Sequence, residues 1–364
     1  MTSTVKFIAT ADVHLEHKLY NMPELEQDMR EIFVEICSMA IAYKVNYLVV
    51  VGDLYEHNQP RPDTIAFVKG QVARLKAAEI TVVGIAGDHD KPVNGDTWCQ
   101  VSDIAPVTTV PQFFGYDYFD YSQEKDPIQS RIQQHRDKQQ VEWIFLHGQV
   151  PTLFAFTEDK KKLDFTTVDV FSYFPNLRGI LLGDIHTPLE ASISDKGKKA
   201  YIGFCGSPGI TDISETKFKH SVLYFDGVSL EREQLFDIRS FVKINLVGEE
   251  GKNFEVATLI DKYKNEEKKP IFIVRYDSSN ETNLSKIRPL YELGHVKKHR
   301  VHAGVDGQQE ELVSLRSELT TNERITAVLK EVCKEPQLYD LSLRLVSGED
   351  PKFVLDEFQF KSFE

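Results

Sequence analysis

The chain has 364 residues, 41% of them hydrophobic and 27% charged, with a formal net charge of −13 at pH 7. That length accommodates one large α/β domain with a smaller one beside it, and the composition excludes a disordered chain. No apolar run reaches the roughly 18 residues of a spanning helix, so no membrane role is expected.

Val5 to Ala9 opens the chain as an apolar strand that runs into Asp12-Val13-His14. Nothing before it has the basic and apolar regions of a signal peptide, and Cys37, Cys99, Cys205 and Cys333 are scattered. A reducing, cytoplasmic setting is expected. Pro23 to Tyr43 carries Ile32, Phe33, Ile36, Met39 and Ala40 at helical spacing, and Thr64 to Ala78 repeats the pattern with Ile65, Val68, Val72 and Leu75. Between and after these helices, Tyr47 to Val51 ends on Gly52-Asp53, and Ile80 to Ala86 ends on Gly87-Asp88-His89-Asp90. Trp143 to Leu146 then ends on His147-Gly148, and Gly179 to Leu182 on Gly183-Asp184-Ile185-His186. Uniformly apolar strands that end in polar clusters read as buried parallel strands delivering side chains to one rim. Further strands are predicted at Tyr201 to Phe204 and His220 to Phe225. The predicted fold class is therefore α/β, a layered sheet sandwich with helices on its outer faces.

The composition shifts near Phe236 to Ser240. Beyond it, Phe241 to Val247, Phe254 to Tyr263, Pro270 to Tyr276, Leu284 to Leu290 and Val296 to Val301 read as a β-α-β-α-β unit. A linker at Gly304 to Gln309 precedes amphipathic stretches at Leu312 to Val332 and Leu338 to Leu345.

Five Asp and His clusters in this order point to a site for two divalent ions. Hydrolysis of a phosphodiester needs an activated water and neutralisation of the phosphate, and an ion pair does both. Asp53, alone at the end of its strand, fits a bridging carboxylate. Asp12-x-His14 and Asp184-x-His186 fit ligand pairs if each segment is extended, so that alternate side chains project alike. His89, directly after Asp88, is expected to face substrate and serve as the general acid. His17, Glu56, His57 and Asp90 are weaker candidates for lining the substrate. Any one Gly-Asp is commonly only a turn; the joint pattern is specific. The acidic net charge runs against a nucleic-acid partner, although Lys160 to Lys162, Lys196 to Lys199 and Lys297 to Arg300 offer local phosphate contacts.

The order D-x-H, G-D, G-[N/D]-H-D, H-G, G-x-x-H resembles the calcineurin-like metallophosphoesterases. Gly52-Asp53-Leu54-Tyr55 with Pro60 and Pro62 is similar to the SbcD-type nucleases of bacterial and phage double-strand-break repair complexes. The resemblance implies a nuclease domain over residues 1–237, a small α+β capping domain over 238–304, and a helical tail over 305–364 that grips an SbcC-type coiled-coil ATPase. It implies DNA as substrate, a homodimer built on the first-domain helices, and two divalent ions, Mn²⁺ or Mg²⁺. Asp12, His14, Asp53 and His186 would hold the first, and Asp53, Asp88, His147 and Asp184 the second. Three positions depart from that family: Asp88 stands for its usual Asn, Asp184 for its common His, and Glu56 for a second active-site His. Ligand charge would rise from about −2 to about −4, favouring hard ions. A phosphoesterase acting on nucleotides or phosphoproteins, or a scaffold that binds DNA without cutting it, remain alternatives.

Overall fold

A computed structural model describes residues 5–91, 101–118, 132, 135, 138–148, 170–236, 238–247, 254–276 and 284–300. The expected tail helices, the linker at Gly304 and Lys160 to Lys162 lie outside the described residues. The chain divides into two compact units, residues 1–242 with 265–271, and residues 243–264 with 272–364.

In the first unit, β1 (Phe7–Thr10), β2 (Tyr47–Val51) and β3 (Thr81–Ile85) pair in parallel and alternate with helices α1 (Pro23–Ala42) and α2 (Pro62–Ala77). The short β4 (Ala105–Pro106) extends this sheet beside β3, while β10 (Ser221–Phe225) and β11 (Leu230–Gln234) extend it antiparallel beyond β1. A second sheet has the order β5-β6-β7-β9-β8, from β5 (Phe113–Gly115), β6 (Trp143–His147), β7 (Gly179–Gly183), β8 (Glu190–Asp195) and β9 (Lys198–Phe204).

Alternation along each strand builds three apolar layers. Ile8, Leu48, Val50 and Val82 face Ile32, Phe33 and Ile36 of α1 and Val68 and Leu75 of α2. On the other side, Phe7, Val49, Val51 and Ile85 meet Phe113, Trp143, Phe145 and Leu181 of the second sheet. The Phe7 ring sits edge-on to Trp143, with centroids 5.0 Å apart. The outer face of the second sheet, Ile144, Leu146, Ile180 and Leu182, is covered by Phe171 of α3 (Val170–Tyr173) and by Phe174. The expected α/β sheet sandwich is the fold that forms.

Element ends shift for physical reasons. Helix α2 starts at Pro62 rather than Thr64, because proline has no N–H to lose at the first helical position. The β8–β9 hairpin turns through Lys196 and Gly197, both at positive φ, which is the backbone of a tight two-residue turn.

Arg239 donates to both carboxylate oxygens of the buried Asp28 on α1, and Lys268 lies 2.7 Å from Glu31. These contacts bind residues 238–242 and 265–271 to α1 of the first unit.

The second unit carries a three-stranded sheet of β12 (Phe241–Leu246), β13 (Ile271–Tyr276) and β14 (His295–Arg300), with α4 (Val256–Tyr263). The helix expected over Leu284 to Leu290 is instead a 3₁₀ turn at 284–287 followed by a short α5 (Leu290–Leu293). Pro289 disfavours helical geometry at Arg288 and interrupts the run.

Candidate metal centre

The loops that leave β1 and β2 are joined by backbone hydrogen bonds, Asp12 N–H to the Gly52 carbonyl (3.1 Å) and His14 N–H to the Asp53 carbonyl (2.9 Å). The segment Asp12 to His14 is not extended, as its spacing suggested: φ is +52° at Asp12 and +48° at His14, and it is positive again at Asp53 and Asp184. Left-handed backbone costs a non-glycine residue about 1–2 kcal/mol. Such strain persists only where surrounding contacts fix it, and it gathers at functional sites. Asp12 Oδ1 accepts from the Asp184 N–H at 2.9 Å, which ties the end of β1 to the end of β7 in the opposite sheet.

Three imidazoles enter this cluster by the same edge. His147 Nδ1 lies 3.0 Å from the Val51 carbonyl oxygen, which only accepts, so the proton is on Nδ1. Its Nε2 then stands 3.3 Å from Asp53 Oδ2 and 3.4 Å from Asp88 Oδ1. His186 turns Nδ1 to Glu215 Oε1 at 2.6 Å, and His14 turns Nδ1 to Glu56 Oε2 at 2.9 Å. The two remaining nitrogens, His14 Nε2 and His186 Nε2, face each other at 3.2 Å. Donor atoms of Asp12, His14 and His186 lie within 4.8 Å of one another, as do those of Asp88, His147 and Asp184. Asp53 joins both neighbourhoods, with Asp12 and His147 on one side and His14 and His89 on the other.

Burial raises the Asp12 carboxyl above its ordinary range, and the nearby histidines only partly oppose it. Burial also pulls His186 down, yet the Glu215 carboxylate outweighs it and lifts the imidazole to about 9. For His147 the Asp53 charge likewise overcomes desolvation and raises the ring well above its usual value. A bound cation would meet the same carboxylate charges that raise these two rings.

His89 donates its backbone N–H to Asp53 Oδ1 (3.0 Å), and its Nδ1 is 3.0 Å from the Glu56 carbonyl oxygen. The ring is exposed. Desolvation lowers its pKa, and the charges of Asp53, Asp88 and Glu56 raise it to a net increase. With Nδ1 committed to a carbonyl, His89 can release a proton to an outside group only from Nε2 of the imidazolium.

The weaker candidates separate. Asp90 does not line a substrate surface: it is buried, and it accepts from the N–H groups of Leu54, Tyr55 and Gly87. Burial, with Asp53 nearby, pushes its carboxyl up to about 7 against those donors. Its place is to hold the loops after β2 and β3 together. Glu56 is turned toward His14 and toward His17 Nδ1, 3.2 Å away, and His57 is exposed. Sequence reasoning missed Glu215 and Thr211, whose hydroxyl donates to Glu215 Oε1 (2.8 Å) and lies 2.9 Å from His186 Nδ1. The available signal was Asp212-x-x-Glu215, the spacing of a capping box at a helical turn.

The calcineurin-like phosphoesterase family model matches residues 5–188, about half of the chain and the whole span of these clusters. The chain belongs to the calcineurin-like phosphoesterases. Two relatives named DNA double-strand break repair protein Mre11 are similar to it. That of Haloferax volcanii is 26% identical over 262 residues, 68% of this chain and 56% of that protein. That of Halobacterium salinarum is 28% identical over 261 residues, 66% of this chain and 62% of that protein. The chain thus spans about three-fifths of the length of these relatives. A dimetal phosphatase from Danio rerio is a distant structural likeness, 13% identical with a TM-score of 0.38, covering 61% of this chain and 92% of that one.

Calcineurin-like phosphoesterases use a dinuclear metal site, and the donors of this chain fit one. No described residue donates a hydrogen bond to the fully buried Asp12 Oδ2. Two imidazole nitrogens face each other across 3.2 Å with their other nitrogens turned to carboxylates. Both are arrangements that a cation completes. Carboxylate oxygen and imidazole nitrogen suit first-row divalent ions. Among the described residues, no helix is long and apolar enough to cross a membrane.

Proposed function

We propose that this calcineurin-like phosphoesterase is a two-metal-dependent DNA nuclease that processes DNA ends. The observation that carries the reading is the convergence of Asp12, His14, Asp53, Asp88, His147, Asp184 and His186 from the strand ends of two sheets. Asp12, His14, Asp53 and His186 would hold one ion, and Asp53, Asp88, His147 and Asp184 the other. When bound, such ions supply Lewis acidity for activating water and neutralising phosphate charge. Asp53 would contribute to both positions. His89, whose pKa is raised by its carboxylate neighbours against desolvation, protonates the leaving oxygen from Nε2.

The names of the relatives support DNA as substrate, and the resemblance to SbcD-type nucleases supports an SbcC-type coiled-coil ATPase as partner, bound through residues 305–364. Helices α1 and α2 are the proposed homodimer contact. Residues 238–304 serve as the capping domain, since a clamped phosphate carries no base identity. The proposed setting is the cytoplasm.

Degradation of end-labelled single- and double-stranded DNA with Mn²⁺, Mg²⁺ or EDTA tests the reading. Cutting that requires Mn²⁺ or Mg²⁺ and disappears in Asp53→Ala is expected. A folded chain that binds Mn²⁺ and DNA but cuts under no condition, with its ATPase partner present, would make it a scaffold. Hydrolysis of small phosphodiesters without DNA cutting would make it a nucleotide phosphoesterase.

A further inference from the structure

Both histidines of the Asp12, His14 and His186 neighbourhood lean on carboxylates outside the proposed ligand set. Glu56, from the loop after β2, puts Oε2 2.9 Å from His14 Nδ1 and 3.2 Å from His17 Nδ1. Glu215, from the turn Ile213–Lys217, puts Oε1 2.6 Å from His186 Nδ1. Glu215 is itself fixed, because the Thr211 N–H (2.7 Å) and hydroxyl (2.8 Å) donate to it and Asp212 caps the turn through the Ser214 N–H. The opposite neighbourhood is built differently. His147 rests on a neutral main-chain carbonyl of Val51, 3.0 Å away.

We propose that Glu56 and Glu215 are paired positioning residues, Glu215 holding His186 with the proton on Nδ1 and Glu56 holding His14 by the close approach of its carboxylate, and so set the affinity of one metal position independently of the other. The proposal rests on the two-metal reading above. An imidazole whose Nδ1–H meets a carboxylate is fixed in orientation and is more electron-rich at Nε2, the atom left for the ion. Two such supports, reaching one position from different loops, aim both Nε2 atoms at the same point. His17, sharing the same carboxylate oxygen, keeps Glu56 from swinging away.

The test is a titration of the full-length chain with Mn²⁺ alone, following free Mn²⁺ by electron paramagnetic resonance, so that no turnover is needed. Wild type binds two equivalents. Glu56→Ala weakens one equivalent by about 10- to 100-fold, the usual effect of losing such a partner, Glu215→Gln weakens the same equivalent by less because its amide oxygen can still accept from His186 Nδ1–H, and both leave the other equivalent unchanged. The double variant weakens that same equivalent only. Glu56→Gln, which keeps the shape of the side chain and loses its charge, falls between Glu56→Ala and wild type. Glu56 is partly exposed, which lets its alanine variant fold; Glu215 is buried, so its variant keeps the shape of the side chain. Unchanged affinity in both single variants, or equal weakening of both equivalents, would overturn the proposal. Wild type binding fewer than two equivalents would instead overturn the two-metal reading.

Discussion

Replacing Gly52 by alanine couples the fold to the site most directly. Gly52 adopts φ +87°, a conformation costing a side-chain-bearing residue about 1–2 kcal/mol. An added Cβ would collide with the His147 ring at Nδ1 and would press on the Gly87 backbone. Relieving that overlap is overpacking, worth about 1–3 kcal/mol. The ring can move only by giving up its 3.0 Å hydrogen bond to Val51, about 1 kcal/mol more. Together these terms give a destabilisation of about 3–6 kcal/mol. Gly70→Ala is the matched control, because Gly70 sits inside α2 with nothing within 4 Å of the new methyl group. It should stabilise the chain by about 0.5–1 kcal/mol. Urea unfolding of the EDTA-treated full chain reads both, and Mn²⁺ titration of Gly52→Ala should show the equivalent that His147 serves weakened as well. A Gly52→Ala variant within about 1 kcal/mol of wild type, the size of an ordinary surface change, would refute the reasoning.

His89→Ala should lower DNA turnover by about 10²–10⁴-fold while both Mn²⁺ equivalents are retained, which separates proton donation from ligation; loss of an equivalent would move His89 into the ligand set. If Asp88 and Asp184 belong to the ligand set as proposed, their hard oxygen donors should make Mn²⁺ or Mg²⁺ support activity better than Zn²⁺, and Asp184→His should narrow the gap; tight zinc binding with zinc-supported turnover in wild type would count against this. Arg239→Ala should destabilise the first unit by about 3 kcal/mol in urea, since among the described residues it leaves the buried Asp28 with the Lys268 ammonium at 3.4 Å as its ionic partner. Because Glu215 outweighs burial and holds folded His186 at about 9, above the unfolded value of about 6.5, its contribution to the ion-free chain is complete below about pH 6.5 and is lost as pH rises through about 9. Urea midpoints at pH 6, 7.5 and 9 in EDTA should fall over that window, and saturating Mn²⁺, which replaces the proton, should flatten the decline.

Strands buried on both faces announce themselves as unbroken apolar runs, which is why Tyr47 to Val51 and Trp143 to Leu146 were legible in the sequence together with the polar clusters at their ends. Strand β8 was not, because Glu190 to Asp195 is a partly exposed edge segment with nothing fully buried to set a pattern. The site was legible as a list of donors and not as a geometry. Asp-x-His suggested an extended segment, whereas two positive φ angles turn those residues through a tight bend that only the backbone contacts with Gly52 and Asp53 reveal. Asp90 belongs to the same string of residues as His89, yet it points into the interior, where three N–H groups converge on it. Glu215 lies 29 residues from the histidine it supports, and local spacing carries no record of that distance.

The first sheet brings Asp12, His14, Asp53, Asp88 and His89 to the rim, and the second brings His147, Asp184 and His186. Neither sheet alone presents a complete set of donors. The proposed pair of ion positions is therefore complete only once residue 186 has been made and the two layers have closed on each other. A centre assembled from both halves of a sandwich makes completion of the donor set a consequence of completed folding, and ties the chemistry proposed for it to the folded molecule.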